Sequence, residues 1–154
     1  MATNFTANAA SDQRPAASVS AFGQLSVNHG EYAITAALVI NDQIGLCKLP
    51  AGHIPVDLIA TIPDLDTNGT PLIVFDIGLS ALDFTVVDQD AFVAAATTAQ
   101  AGGLQRMTAT AAREIAPADT DRMVVMKVTT APATGATSGT ISATLLSRRA
   151  NADD

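Results

Sequence analysis

Cys47, His29, His53 and the oxygen-rich run Asp64-Leu65-Asp66-Thr67-Asn68-Gly69 are the side chains whose types and spacing could do chemistry. A thiol near an imidazole supplies a nucleophile and its base, but catalysis also needs a group that orients the base and donors that hold an oxyanion. Neither accompanies Cys47 and His53, and Cys47 sits inside an apolar run, so it reads as a small buried hydrophobe. His29 and His53 stand outside any metal-ligand spacing and read as surface residues, His53 beside the turn Pro50-Ala51-Gly52. The chain carries no Gly-rich phosphate loop, nucleophile elbow or paired-Glu motif. A non-enzymatic protein with no catalytic residue and no cofactor is the expectation.

The run from Asp64 matches the opening of a calcium loop, in which oxygens at alternate positions converge on the ion and a glycine allows the sharp turn. The match then fails. Phe75 stands where a bidentate Glu is required, and Pro71 interrupts the loop. Two readings stay open: a Ca²⁺ site built on Asp64, Asp66 and Asn68, or a turn whose Asp and Asn side chains bond their own backbone.

Composition narrows the classes of partner. Of 154 residues, 30 are Ala and 18 Thr, and only 4% are aromatic, so the core is thin and aliphatic. With no Trp and one Tyr, the chain lacks the stacking surfaces of sugar and single-strand nucleic-acid sites. A formal charge of −7 opposes the basic footprint that nucleic acid requires. No run reaches the ~18 apolar residues of a membrane-spanning helix, and the first residues lack a basic and apolar leader, so neither nucleic acid nor membrane is an expected partner. Residues 42–90 hold eight Asp and one Lys, whereas residues 106–149 hold six Lys/Arg and three acids. If these regions face outward on different sides, copies can meet acidic edge to basic edge.

The elements that must position these residues are mostly strands. β-Branched and apolar runs at 31–40, 44–49, 56–62, 72–77, 104–110, 122–130 and 140–149 alternate with Gly, Pro, Asn and Asp clusters. The first two are expected to form a hairpin about Asn41-Asp42, Gly78 to end the fourth strand, and 140–149 to lie at an edge. Asp88 to Gly103 opens with acids and closes with glycines around an Ala-rich centre, predicting one short α-helix with Phe92 as its knob. Residues 1–30 are polar with scattered Phe5, Phe22 and Leu25, predicting an extended N-terminal arm that docks on a neighbour. The expected fold is mainly β: an antiparallel β-sandwich, jelly-roll-like, at 31–149, with the arm before it and an acidic tail at 150–154.

Ala33 to Gly52, with its Asn41-Asp42 turn and Leu49-Pro-Ala-Gly52 ending, Asp64 to Gly78, with its Asp-Leu-Asp turn and Asp76-Ile-Gly78, and Asp90 to Gly103 together resemble small structural proteins of tailed bacteriophages. The resemblance covers roughly residues 31–148. It implies non-enzymatic work in many copies in the virion, as a capsid cement (decoration) protein or as a head-to-tail or tail component. The implied partners are the major capsid protein and copies of this chain in a homo-oligomer on the capsid. Phe5, Phe22 and Leu25 then anchor the arm, with Arg148 and Arg149 as further partner-binding residues. The alternative from another class is a secreted or cell-surface module that uses Asp64, Asp66 and Asn68 for Ca²⁺.

Overall fold

The computed structural model describes the backbone of residues 3–5 and all of residues 25–150. Among the described residues nine strands follow in order: β1 (Thr3–Phe5), β2 (Leu25–Ala33), β3 (Gln43–Leu49), β4 (His53–Ile62), β5 (Val74–Ser80), β6 (Val86–Ala96), β7 (Gly103–Arg106), β8 (Arg122–Thr130) and β9 (Thr140–Arg149). They make two sheets, ordered β1-β3-β8-β5-β6 and β2-β9-β4-β7. The pairings β2 with β9, β3 with β8, β4 with β7 and β5 with β6 are all antiparallel. The body is therefore one long hairpin rolled up, which is the jelly-roll winding that sequence patterning anticipated. β1 adds to β3 in parallel, with Phe5 opposite Gly45.

Rolling changes which strands are neighbours. β2 and β3 lie in opposite sheets, so residues 31–49 form no local hairpin. β9 is flanked by β2 and β4 and is not an edge strand; its outward residues are only half buried, which explains its loose alternation in sequence. β2 begins at Leu25, so residues 25–30 belong to the sandwich and not to the expected arm.

The expected α-helix at 88–103 is replaced by β6 and a 3₁₀ turn at Thr98–Gln100, and no α-helix occurs among the described residues. Helix propensity of the Ala run loses to burial: Phe92, Val93 and Ala96 insert between the sheets, where Phe92 is fully buried. The Asp76 carboxylate fixes the bulge by accepting the N–H of Ala95 at 2.7 Å, and Ala95 takes φ 49°. A second excursion sets Leu79 opposite Asp88 and Ile77 opposite Val93. Gly78 lies inside β5, not at its end, because the backbone at Asp88 and Gln89 packs where a side chain would go.

The core between the sheets is aliphatic as expected, with Phe75, Ile44, Leu46, Leu58, Ile62, Ile77 and Met126 among its fully buried side chains. Each such side chain is worth roughly 1.5–3 kcal/mol on leaving water. The segment between β7 and β8 closes the gap between the sheets. Thr108 and Ala109 donate to the Phe92 carbonyl, and Ala112, in a 3₁₀ turn at Thr110–Glu114, is fully buried.

Candidate functional site

The Asp64 run folds as consecutive side-chain turns. The Asp66 N–H donates to Asp64 Oδ1 at 3.0 Å, Asn68 N–H to Asp66 Oδ1 at 3.4 Å, and Thr70 N–H to Asn68 Oδ1 at 2.9 Å. Asp66 itself is 1% exposed. Its Oδ2 accepts the N–H groups of Leu72 at 2.7 Å, Ile73 at 3.2 Å and Ala133 at 2.8 Å, and its Oδ1 accepts that of Thr134 at 2.8 Å. Burial pushes this carboxyl up, but the N–H groups of Leu72, Thr134, Ala133 and Ile73 outweigh it and hold the group well below the usual carboxylate range. These donors present the positive ends of their dipoles to the oxygens that a cation would need. The calcium reading of Asp64, Asp66 and Asn68 thus gives way to a carboxylate that ties residues 64–73 to residues 131–136. No group of three or more His, Cys, Asp or Glu suited to a metal occurs among the described residues.

The other chemistry-bearing residues stay apart. Cys47 lies in the core, and burial pushes its thiol up to about 12, with a backbone hydrogen bond from Leu145 as partial offset. His53, on the opposite sheet, bonds through Nδ1 to the Ala51 carbonyl at 3.0 Å. His29 Nδ1 pairs with Thr144 Oγ1 at 2.9 Å on the outer face of β2 and β9.

The expected acidic face is half absent. Asp42, Asp57, Asp66 and Asp76 are buried. Asp57 pairs with Arg106, Asp76 takes Gln89 Nε2 at 2.7 Å while Lys127 donates to Gln89 Oε1 at 2.6 Å, and Asp42 takes the N–H of Val39 at 2.8 Å. Asp76 had a signal in sequence, since it lies between Phe75 and Ile77 in an apolar run.

Of the expected partner-binding residues, Leu25 opens β2, is 53% exposed and stands opposite Arg148. Arg148 in turn faces Ile54, and Arg149 is exposed opposite His53 at the end of β9. Phe5 is in β1; Phe22 lies outside the described residues. A cleft of about 250 Å³ beside this group is lined by Ile54, Arg113, Glu114, Ile115, Pro117 and Arg148. Arg113 and Arg148 bring two guanidinium groups to it.

Four of the eight Asp of residues 42–90 are buried on internal bonds, and the sandwich that holds them resembles two solved structures. A chain in the capsid of Ralstonia phage GP4 superimposes with a TM-score of 0.86 at 30% sequence identity, covering 98% of this chain and 100% of that one. A chain in the capsid asymmetric unit of cyanophage Pam1 gives a TM-score of 0.71 at 26% identity, covering 90% of this chain and 95% of that one. No family model and no curated protein sequence matches. The class is that of phage structural proteins located in the virion. Within it, this chain belongs to the family of phage capsid proteins represented by the matched chain of the Ralstonia phage GP4 capsid.

Proposed function

We propose that this protein is a non-enzymatic capsid cement protein that bridges neighbouring major capsid proteins. The observation that carries the reading is the end-to-end match with a whole chain of a phage capsid. That match spans 98% of this chain and 100% of the other, so the likeness extends over the whole sandwich. Both matched structures are capsids, which favours the shell over the tail.

Attachment uses the N-terminal arm, residues 1–24, with Phe5 and Phe22 as anchors and Leu25 at its root. Arg148 and Arg149 extend that surface with positive charge. An arm of this kind covers much surface from a small body.

Particles lacking this protein, mixed with the purified chain, test the reading by co-sedimentation and electron microscopy. Full-length chain should appear at repeated positions over the shell. A chain beginning at Leu25 should stay folded by circular dichroism and fail to bind. Density at a single vertex, or no binding by the full chain, overturns the cement role; undiminished binding by the shortened chain overturns only the arm's part in it.

A further inference from the structure

The four loops at one end of the sandwich, residues 34–42, 63–73, 97–102 and 131–139, contain no Lys, Arg, Glu or His. Strand pairing brings them together. Residue 34 donates to the Gly139 carbonyl, Asn41 to Val128, Leu65 to Ala99, and Thr67 to Thr134. Three acids occur there, and two of them, Asp42 and Asp66, are buried on backbone N–H groups. Asp64 is the sole exposed charge of these loops. The opposite end differs: Asp83, Arg113, Glu114, Asp119 and Asp121 lie in its loops.

The uncharged end is also apolar at its tips. Val39, Ile40 and Leu72 are 52%, 53% and 53% exposed. Val39 and Ile40 precede β3 and Leu72 precedes β5, the two strands that flank β8, so these side chains rise on either side of the end of β8. Asp66 and Asp42 tie their loops down. An interface formed here would therefore order little new backbone.

We propose that this uncharged end is where copies of the chain meet one another. The proposal rests on the virion reading above and names the surface by which copies associate. A body with a formal charge of −7 repels its own kind, and close to a two-fold axis a charge meets its own image, so like copies approach most easily where charge is absent. The interior of protein interfaces is depleted of charge in the same way. A shell protein of different sequence has no such restriction and can be met by the charged end.

Sedimentation of the full chain from about 1 to about 100 µM, with particle binding measured in parallel, tests this. The wild type should form a discrete oligomer whose affinity does not weaken between low and high salt, since charged contacts would weaken and apolar ones would not. The double substitution Ile40→Asp and Leu72→Asp should weaken association by about 100-fold or more, because it buries carboxylates at the contact. Val87→Asp, on the exposed part of β6, should leave it unchanged. A wild type that is monomeric throughout overturns the proposal, as does an oligomer that dissolves in salt or yields equally to Val87→Asp. If the wild type is monomeric and the double variant loses particle binding, the end docks on the shell and not on a second copy. Failure of self-association with particle binding intact leaves the cement role standing.

Discussion

The carboxylate of Asp66 accepts the backbone N–H of Thr134, 68 residues away in sequence, at 2.8 Å. That bond and those to Leu72, Ile73 and Ala133 make one side chain the junction of the β4–β5 and β8–β9 loops. Asp66→Asn keeps the shape but turns an acceptor into a donor facing N–H groups, and buried N–H groups left without an acceptor are costly. The thermal midpoint should fall by roughly 5 °C or more, against a change within about 2 °C for Asp88→Asn at an exposed carboxylate. Differential scanning calorimetry of the three proteins decides it.

Calcium should not matter to this loop. A ligand bound only by the native state raises its midpoint, and the Asp66 oxygens are already engaged by N–H donors. Adding about 5 mM CaCl₂, or EDTA, should leave the melting curve where an equal ionic strength of NaCl puts it. A calcium-specific rise of several degrees would overturn this account of the loop.

The same carboxylate shapes the acid limb of stability. Its folded pKa is depressed below the unfolded value of about 3.9, so its contribution is present above that value and is lost as pH falls through the folded pKa. Asp83, held low by Thr85, acts in the same direction. Urea midpoints should decline as pH drops below about 5, and the decline should be shallower in Asp66→Asn, which has no proton to take up there.

Much of this fold was legible because β8 and β9 announce themselves through long runs of Val, Ile, Met, Leu and Thr. What misled was anything decided by partners distant in sequence. The Ala run before Thr97 has helix propensity, yet Phe92 and Val93 are drawn between the sheets and the Asp76 carboxylate holds Ala95 in a bulge. Gly78 looked like a strand end because its reason, the backbone of Asp88, lies on another strand. The Asp66 turn was legible as far as its local bonds to Asn68 went, whereas its bonds to Ala133 and Thr134 depend on the roll of the whole chain. The bareness of the uncharged end needed the pairing of β2 through β9 before its loops could be counted together.

Gly78 and Gly69 offer a direct comparison of two glycines. A Cβ at Gly78 overlaps the carbonyl oxygen of Asp88 and the backbone of Gln89, and backbone cannot step aside as a flexible side chain can. Gly69 has nothing within 4 Å of the same position. Gly78→Ala should therefore cost about 3 kcal/mol by displacing β6, and Gly69→Ala should stay within about 0.5 kcal/mol of wild type. Urea unfolding followed by circular dichroism gives both numbers. Equal midpoints would mean that the Asp88–Gln89 backbone packs elsewhere.

Cys47 should be chemically silent in the folded protein. It is 1% exposed in β3, and burial raises its thiol to about 12, so at pH 8 almost none of the reactive thiolate is present. Reaction with a disulfide reagent such as DTNB must then wait for unfolding, and its rate should rise as urea raises the population of the opened sandwich. Because the folded pKa lies above the unfolded value of about 8.5, the native state keeps its proton while the unfolded chain loses one. Stability should fall by about 1.4 kcal/mol per pH unit from this group as pH rises above about 8.5. Cys47→Ala should remove that part of the alkaline slope, and fast stoichiometric labelling of the native wild type at pH 8 would show that the thiol is not buried as described.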